Sequence, residues 1–375
     1  MSNPSRPSFL STVTSVAAAT SLGTAGLAGA QDDGHEAPGD THEESGGICG
    51  CGLVDVHTHY LPPLYVQALA DAGLVTLDGG FPVPEWSEQA VLAHMAKHNI
   101  KAVMLSVTSP SVGFLKAREE RRKMARYLNE FAADVVQRNP GRFGAFATLP
   151  MADMEDAIAE LEYALDHLKL DGVVVETNTD GCYLGNPRLE PLFAALDKRK
   201  STLFLHPTSP ACFEAVGLGR PAPILEFPMD TARTVTDLIY AGTLSHYPNI
   251  RMIVPHGGGA LPALAHRIAQ FSTLPFLTQK PSGGAEEVRK VLASLYYDLA
   301  GSAHDGAVES LRRLTTTSHI LFGSDFPFTP PAGVEANVKG VRNLKGLSRA
   351  EHEGIARDNA LALFPRLSGA DVEPD

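Results

Sequence analysis

The chain has 375 residues, 44% of them hydrophobic and 20% charged, which is enough apolar material for one large core. Lys plus Arg number 31 against 43 Asp plus Glu, a formal charge of −12 that argues against a nucleic-acid binder, which needs a basic face to displace phosphate counterions. Its 4 cysteines are too few for a disulfide scaffold and lack finger spacing, and the absence of any apolar run of about 18 residues excludes a multi-pass membrane protein.

Residues 1–30 read as an export signal. Arg6 precedes a weakly apolar stretch from Phe9 to Leu27, and Ala28-Gly29-Ala30 is a small-x-small site that permits cleavage before Gln31. Ser5-Arg6-Pro7-Ser8-Phe9-Leu10 resembles a twin-arginine signal in which Pro7 stands where the second arginine belongs. A working signal implies a periplasmic or extracellular protein, and a failed one a cytoplasmic protein. Residues 31–51 read as an acidic flexible linker containing Asp32, Asp33, Glu36, Asp40, Glu43 and Glu44. Cys49 and Cys51 fit small residues leading into the first strand. Residues 52–365 form the folded domain and 366–375 a C-terminal tail.

From Leu53 onward, short apolar runs alternate with helix-period segments. The strands are expected at Leu53–His57, Ala102–Val107, Arg142–Leu149, Gly172–Glu176, Thr202–His206, Arg251–His256, Leu295–Asp298 and Ile320–Gly323. Several are nearly continuous apolar runs, as parallel strands covered on both faces require. Between them, Ile158, Leu161, Leu165 and Leu168 form one helical stripe, and Leu189, Leu192, Phe193 and Leu196 another. Asn186-Pro187 supplies an N-cap and a first-turn proline. This alternation predicts a (β/α)8 TIM barrel. An open doubly wound sheet would need a Gly-rich turn after the first strand, where Asp55-Val-His57-Thr-His59 stands instead.

In such a barrel the chemistry sits at the C-terminal ends of the strands. The first strand ends in His57-Thr58-His59, the fifth in His206-Pro207, the sixth in His256-Gly257-Gly258-Gly259 and the eighth in Gly323-Ser324-Asp325-Phe326-Pro327. Residues i and i+2 of a strand share a face, so both imidazoles of the first strand can reach the mouth. Histidines and a carboxylate at four strand ends make a nitrogen/oxygen site for one divalent ion, Zn2+ or Mn2+, with no organic cofactor. His94, His98, His167, His246, His266, His319 and His352 fall on helices or turns and read as structural. The fourth strand ends in Glu176-Thr177-Asn178, without the lysine that bridges two metals in binuclear sites. Glu176 itself can bridge two ions, so a single metal is the preferred count.

The four motifs, in this order, resemble the metal-dependent amidohydrolase superfamily. Leu205-His206-Pro207, His256-Gly257-Gly258-Gly259-Ala260-Leu261-Pro262 and the closing Asn359-Ala360-Leu361-Ala362-Leu363-Phe364 narrow the likeness to its decarboxylase branch. That branch includes aminocarboxymuconate semialdehyde, γ-resorcylate and 6-methylsalicylate decarboxylases. The resemblance implies His57, His59, His206 and Asp325 as metal ligands and His256 as the catalytic histidine. It also implies a second role for Asp325, delivering a proton to the ring carbon that loses carbon dioxide. The expected reaction is non-oxidative decarboxylation of a small hydroxybenzoate-like or unsaturated carboxylic acid. A hydrolase of an amide, lactone or ester, or an inactive binding protein, are the alternatives on the same barrel. Trp86, Arg233 and Phe326 are the expected substrate contacts, with Phe328 beside Phe326 as part of the same apolar wall, although plain packing or a surface ion pair would account for each equally well. A homodimer is the expected assembly.

Overall fold

The computed structural model describes residues 52–371, so the export-signal and linker expectations, with Cys49 and Cys51, lie outside the described residues. Eight parallel strands follow one another around a barrel in sequence order. They are β1 (Leu53–His59), β2 (Ile100–Ser106), β3 (Phe143–Thr148), β4 (Gly172–Glu176), β5 (Thr202–His206), β6 (Arg251–Val254), β7 (Tyr296–Asp298) and β8 (Ile320–Leu321). The last returns to the first through backbone hydrogen bonds from Val56 N–H to Phe322 O at 3.0 Å and from His59 N–H to Phe326 O at 2.7 Å.

β4 and β5 have the bounds their apolar runs predict, whereas β6 and β8 are shorter. β6 stops at Val254 because Pro255 has no N–H to donate and the next four residues, His256 to Gly259, all take positive φ. Gly259 is required there twice over: its φ is +58°, and a Cβ would lie 2.6 Å from the Pro228 carbonyl oxygen. β8 stops at Leu321 as the chain crosses the mouth, where a Cβ on Gly323 would lie 2.9 Å from the His57 Cβ. The helical stripes form as expected. Met154–Glu162 is α-helical and continues as one wide turn through Tyr163–His167. Asn186 accepts the Arg188 N–H at 3.1 Å, capping the turn that opens with Pro187.

The apolar core has two layers. Strands and surrounding helices enclose Leu69, Met95, Leu128, Phe193 and Leu238, among others. Inside the barrel, Val54, Val56, Met104, Phe146, Phe204 and Ile253 pack with Leu363, Phe364 and Leu367 of the C-terminal segment. The barrel is therefore plugged by side chains at one end, and the C-terminal strand ends open to a cavity.

A bulge in β1 reconciles this plug with the chemistry. Asp55 pairs with Val103 and Thr58 with Leu105, so β1 carries one more residue than β2 over the same span. Val54 and Val56 face the plug, and strict alternation would send Thr58 inward next. The extra residue reverses the parity and places His57 and His59 inside instead. Asp55 fastens the bulge, accepting the N–H groups of His57 and Ser324, each at 3.0 Å. Thr58, turned away, donates its hydroxyl to Met104 O at 2.9 Å.

Candidate active site

Four side chains predicted at strand ends converge. The ligating atoms of His57, His59, His206 and Asp325 all lie within 4.8 Å of one another, with the three histidines buried. The Nε2 atoms of His57 and His59 stand 3.1 Å apart, and the Asp325 carboxylate is 3.0 Å from His59 Nε2 and 3.5 Å from His57 Nε2. Donors about 2.0–2.1 Å from a common ion are roughly 3.0–3.4 Å apart at octahedral to tetrahedral angles, so these separations fit a divalent cation.

The far nitrogens of the rings agree. His57 Nδ1 donates to Asp298 Oδ2 at 2.9 Å, His206 Nδ1 donates to Pro207 O at 2.9 Å, and His59 Nδ1 faces Ser106 Oγ at 3.1 Å. The Asp298 carboxylate and the Pro207 carbonyl can only accept, and Ser106 Oγ gives its own proton to Thr58 O at 3.3 Å, so all three rings carry a proton on Nδ1 and turn Nε2 toward the cluster, as metal-ligating imidazoles do. Burial pushes His59 and His206 below the ordinary imidazole range, keeping both neutral. Burial works the same way on His57, but the charges of Asp298, Asp325 and Asp55 outweigh it and hold the ring at about 9, so near neutral pH it is protonated on both nitrogens and must release the Nε2 proton to ligate a metal. Burial alone would raise Asp325, yet hydrogen bonds from His256 and His59 hold its carboxyl well below the usual range.

His256 completes the centre without joining the tight cluster. Its Nε2 is 3.6 Å from Asp325 Oδ2, and its side chain is 21% exposed, toward the open cavity. It and Asp325 hold left-handed backbone, φ +55° and +59°, a conformation that costs a non-glycine residue about 1 kcal/mol or more and persists only where neighbours over-determine it. Asp298 supplies part of that determination. Its Oδ1 accepts the N–H groups of His256 at 3.0 Å and Ala300 at 2.9 Å while its Oδ2 holds His57.

Above the cluster opens a cavity of about 440 Å³ with Leu77, Phe81, Phe227 and Phe328 on its walls and Thr108, Ser109, Ser302 and Thr329 among its polar lining. No Lys or Arg lines it among the described residues. The three expected substrate contacts are elsewhere. Trp86, within the insertion that follows β1, packs against Tyr60 and Phe131, ring centroids 6.3 and 5.8 Å away. Arg233 pairs with Asp230 three residues earlier on its own helix and meets the Tyr183 hydroxyl at 3.3 Å. Phe326 turns its ring away and stacks on His94 at 4.2 Å, and it is Phe328, two residues on, that reaches the cavity and lies edge-on to His59.

Sequence reasoning also passed over Asp298 and Asp78. The strand-end rule that found the ligands applies equally to Asp298, the last residue of β7. Asp78 carried no signal, because its partners come from loops distant in sequence.

An amidohydrolase family model matches residues 54–366. The chain belongs to the amidohydrolase family. Decarboxylase yanB of Aspergillus niger is 36% identical over 84% of this chain and 88% of its own length. The 6-methylsalicylic acid decarboxylase acuB of Aspergillus aculeatus is 34% identical over 85% of this chain and 98% of its own. The crystal structure of an amidohydrolase II protein superposes with a TM-score of 0.77 at 33% identity, covering 84% of this chain and all of that one. The superposed amidohydrolase II protein has the same barrel, and the four-residue cluster at the mouth of the present one suits a divalent metal.

Proposed function

We propose that this amidohydrolase-family protein is a metal-dependent, non-oxidative decarboxylase of a salicylate-type aromatic acid, 6-methylsalicylate being the first candidate. The observation that carries the reading is the cation-free, phenylalanine-walled cavity directly over a nitrogen/oxygen metal cluster. An apolar ring fits those walls, and its acidic groups find compensating charge only at the cluster. The named activities of the relatives favour decarboxylation over amide, lactone or ester hydrolysis.

His57, His59, His206 and Asp325 would hold one Zn2+ or Mn2+. When bound, that ion supplies Lewis-acid compensation for the oxygens of the substrate. Phe81, Phe227 and Phe328 orient the ring and exclude water from its faces. The proton destined for the ring carbon would come from His256 by way of the ionised Asp325 carboxylate, whose Oδ2 stands 3.6 Å from His256 Nε2 at the cavity floor. Delivery to the carbon bearing the carboxylate makes that carbon tetrahedral. The bond to the carboxylate carbon then breaks, its electron pair restores the ring, and carbon dioxide leaves. His256, exposed to the cavity, returns a proton for the next turnover.

The test is incubation of metal-loaded protein with 6-methylsalicylate while following carbon dioxide and 3-methylphenol. Equimolar release of both supports the reading, and hydrolysis of lactones or amides in its place would replace it.

A further inference from the structure

A second cavity, of about 680 Å³, lies beside the first. The two share three lining residues, Leu77, Asp78 and Ser109. Beyond that wall, the second space runs past Leu74, Phe114 and Ala211 to Glu176 at the end of β4.

The wall is held by a single carboxylate. Asp78, in the insertion after β1, accepts the Ser109 hydroxyl at 2.9 Å, the Thr208 hydroxyl at 2.6 Å and the Ser209 N–H at 2.7 Å on Oδ2. Its Oδ1 accepts the Ser209 hydroxyl at 2.5 Å and the Gly79 N–H at 2.9 Å. Ser109 follows β2 and Thr208-Ser209 follows β5, so one side chain ties the insertion to two separate barrel loops. No residue of the metal cluster lines the second cavity.

We propose that Asp78 is a specificity-determining residue: its carboxylate closes the reaction cavity against the second one, and thereby limits the substrate to short ring substituents. The second cavity is large enough for an aliphatic chain of several carbons, which Leu74, Leu77 and Phe114 would contact among a lining otherwise rich in polar residues such as Asn178, Thr179 and Asp180. Hydroxybenzoic acids with such chains are therefore the substrates that opening the wall would admit. The inference rests on the decarboxylase reading for its turnover assay, and a binding measurement keeps the two separable.

The experiment compares Asp78→Ser, which shortens the side chain, with Asp78→Asn, which keeps its volume while weakening its acceptor set. Salicylates bearing a methyl or a pentyl chain at ring position 4 or 6 are the probes. Binding is read by calorimetry and turnover by carbon dioxide release. The expected result is a pentyl-to-methyl ratio of kcat/KM, and of affinity, at least tenfold higher in Asp78→Ser than in wild type, with Asp78→Asn near wild type. Equal broadening in both variants would overturn the proposal, since anchoring of the insertion rather than the wall would then set the limit. An unchanged ratio in a folded, metal-loaded Asp78→Ser would overturn it as well. If wild type releases no carbon dioxide from any probe, the decarboxylase reading fails, and the affinity ratios still decide whether Asp78 is the wall.

Discussion

Replacing Asp298 with asparagine tests whether the outer partners of the histidines set metal affinity. Asp298 Oδ1 accepts two backbone N–H groups, from His256 and Ala300, and an asparagine must keep its carbonyl oxygen on that side. Its amide nitrogen then faces His57 Nδ1 across the present 2.9 Å contact, donor against donor. Relief comes when His57 gives up its Nδ1 proton and keeps the one on Nε2, the atom 3.1 Å from His59 Nε2 that points into the cluster. A proton there blocks the lone pair that would ligate. Loss of one charge-assisted hydrogen bond is worth about 1.5–3 kcal/mol, and outer-shell changes typically weaken metal binding about 10–100-fold. We therefore expect Asp298→Asn to fold with the wild-type circular dichroism spectrum and to bind Zn2+ or Mn2+ about 10–100-fold more weakly in chelator competition near pH 7. Carbon dioxide release should be partly restored by excess metal. A folded variant with wild-type metal affinity would refute the reasoning.

Three further outcomes follow from the same geometry. His256→Ala should retain metal, because its ring lies outside the tight cluster, and lose about 10²–10⁴-fold in kcat; metal loss rescued by excess ion would reassign it as a ligand. His206→Ala should lose metal and activity together, as measured by elemental analysis beside the turnover assay. Glu176 is raised from 4.5 to about 8 by burial and then by the charge of Asp78, so the folded state holds a proton that the unfolded chain releases between those values. Stability from this group is present below about pH 4.5 and is lost as pH rises through about 8. Glu176→Gln should flatten that decline in urea melts by up to a few kcal/mol, and an unchanged slope would show that Glu176 titrates normally.

The sequence disclosed the barrel and the cluster for one physical reason. Parallel strands buried on both faces write themselves as apolar runs, and in a barrel the residue following such a run is at the open end. β4 and β5 were legible to the residue. The β1 bulge was not, because Asp55, His57 and His59 alternate unbroken with Val54, Val56 and Thr58 in the sequence while the folded strand buries all seven residues, so the change of parity leaves no mark in the pattern. Substrate-side residues were illegible for a different reason. In the insertion after β1, Trp86 stood out by size, but the turn that brings Phe81 over the cavity also carries Trp86 outward onto Tyr60 and Phe131. Arg233 stood out by charge, and only the helical spacing to the buried Asp230 hinted that it was already paired. Phe326 and Phe328 both stood out as a wall beside Asp325, and the turn past Pro327 gives the cavity only Phe328 while Phe326 stacks on His94.

The central claim is that a metal held by His57, His59, His206 and Asp325 serves the release of carbon dioxide from an aromatic acid. The most direct test is elemental analysis of the purified protein coupled to carbon dioxide release from 6-methylsalicylate, before and after chelation. The account predicts one divalent ion per chain, release abolished on its removal, and release restored when the ion is returned. Undiminished release from metal-free protein would contradict it.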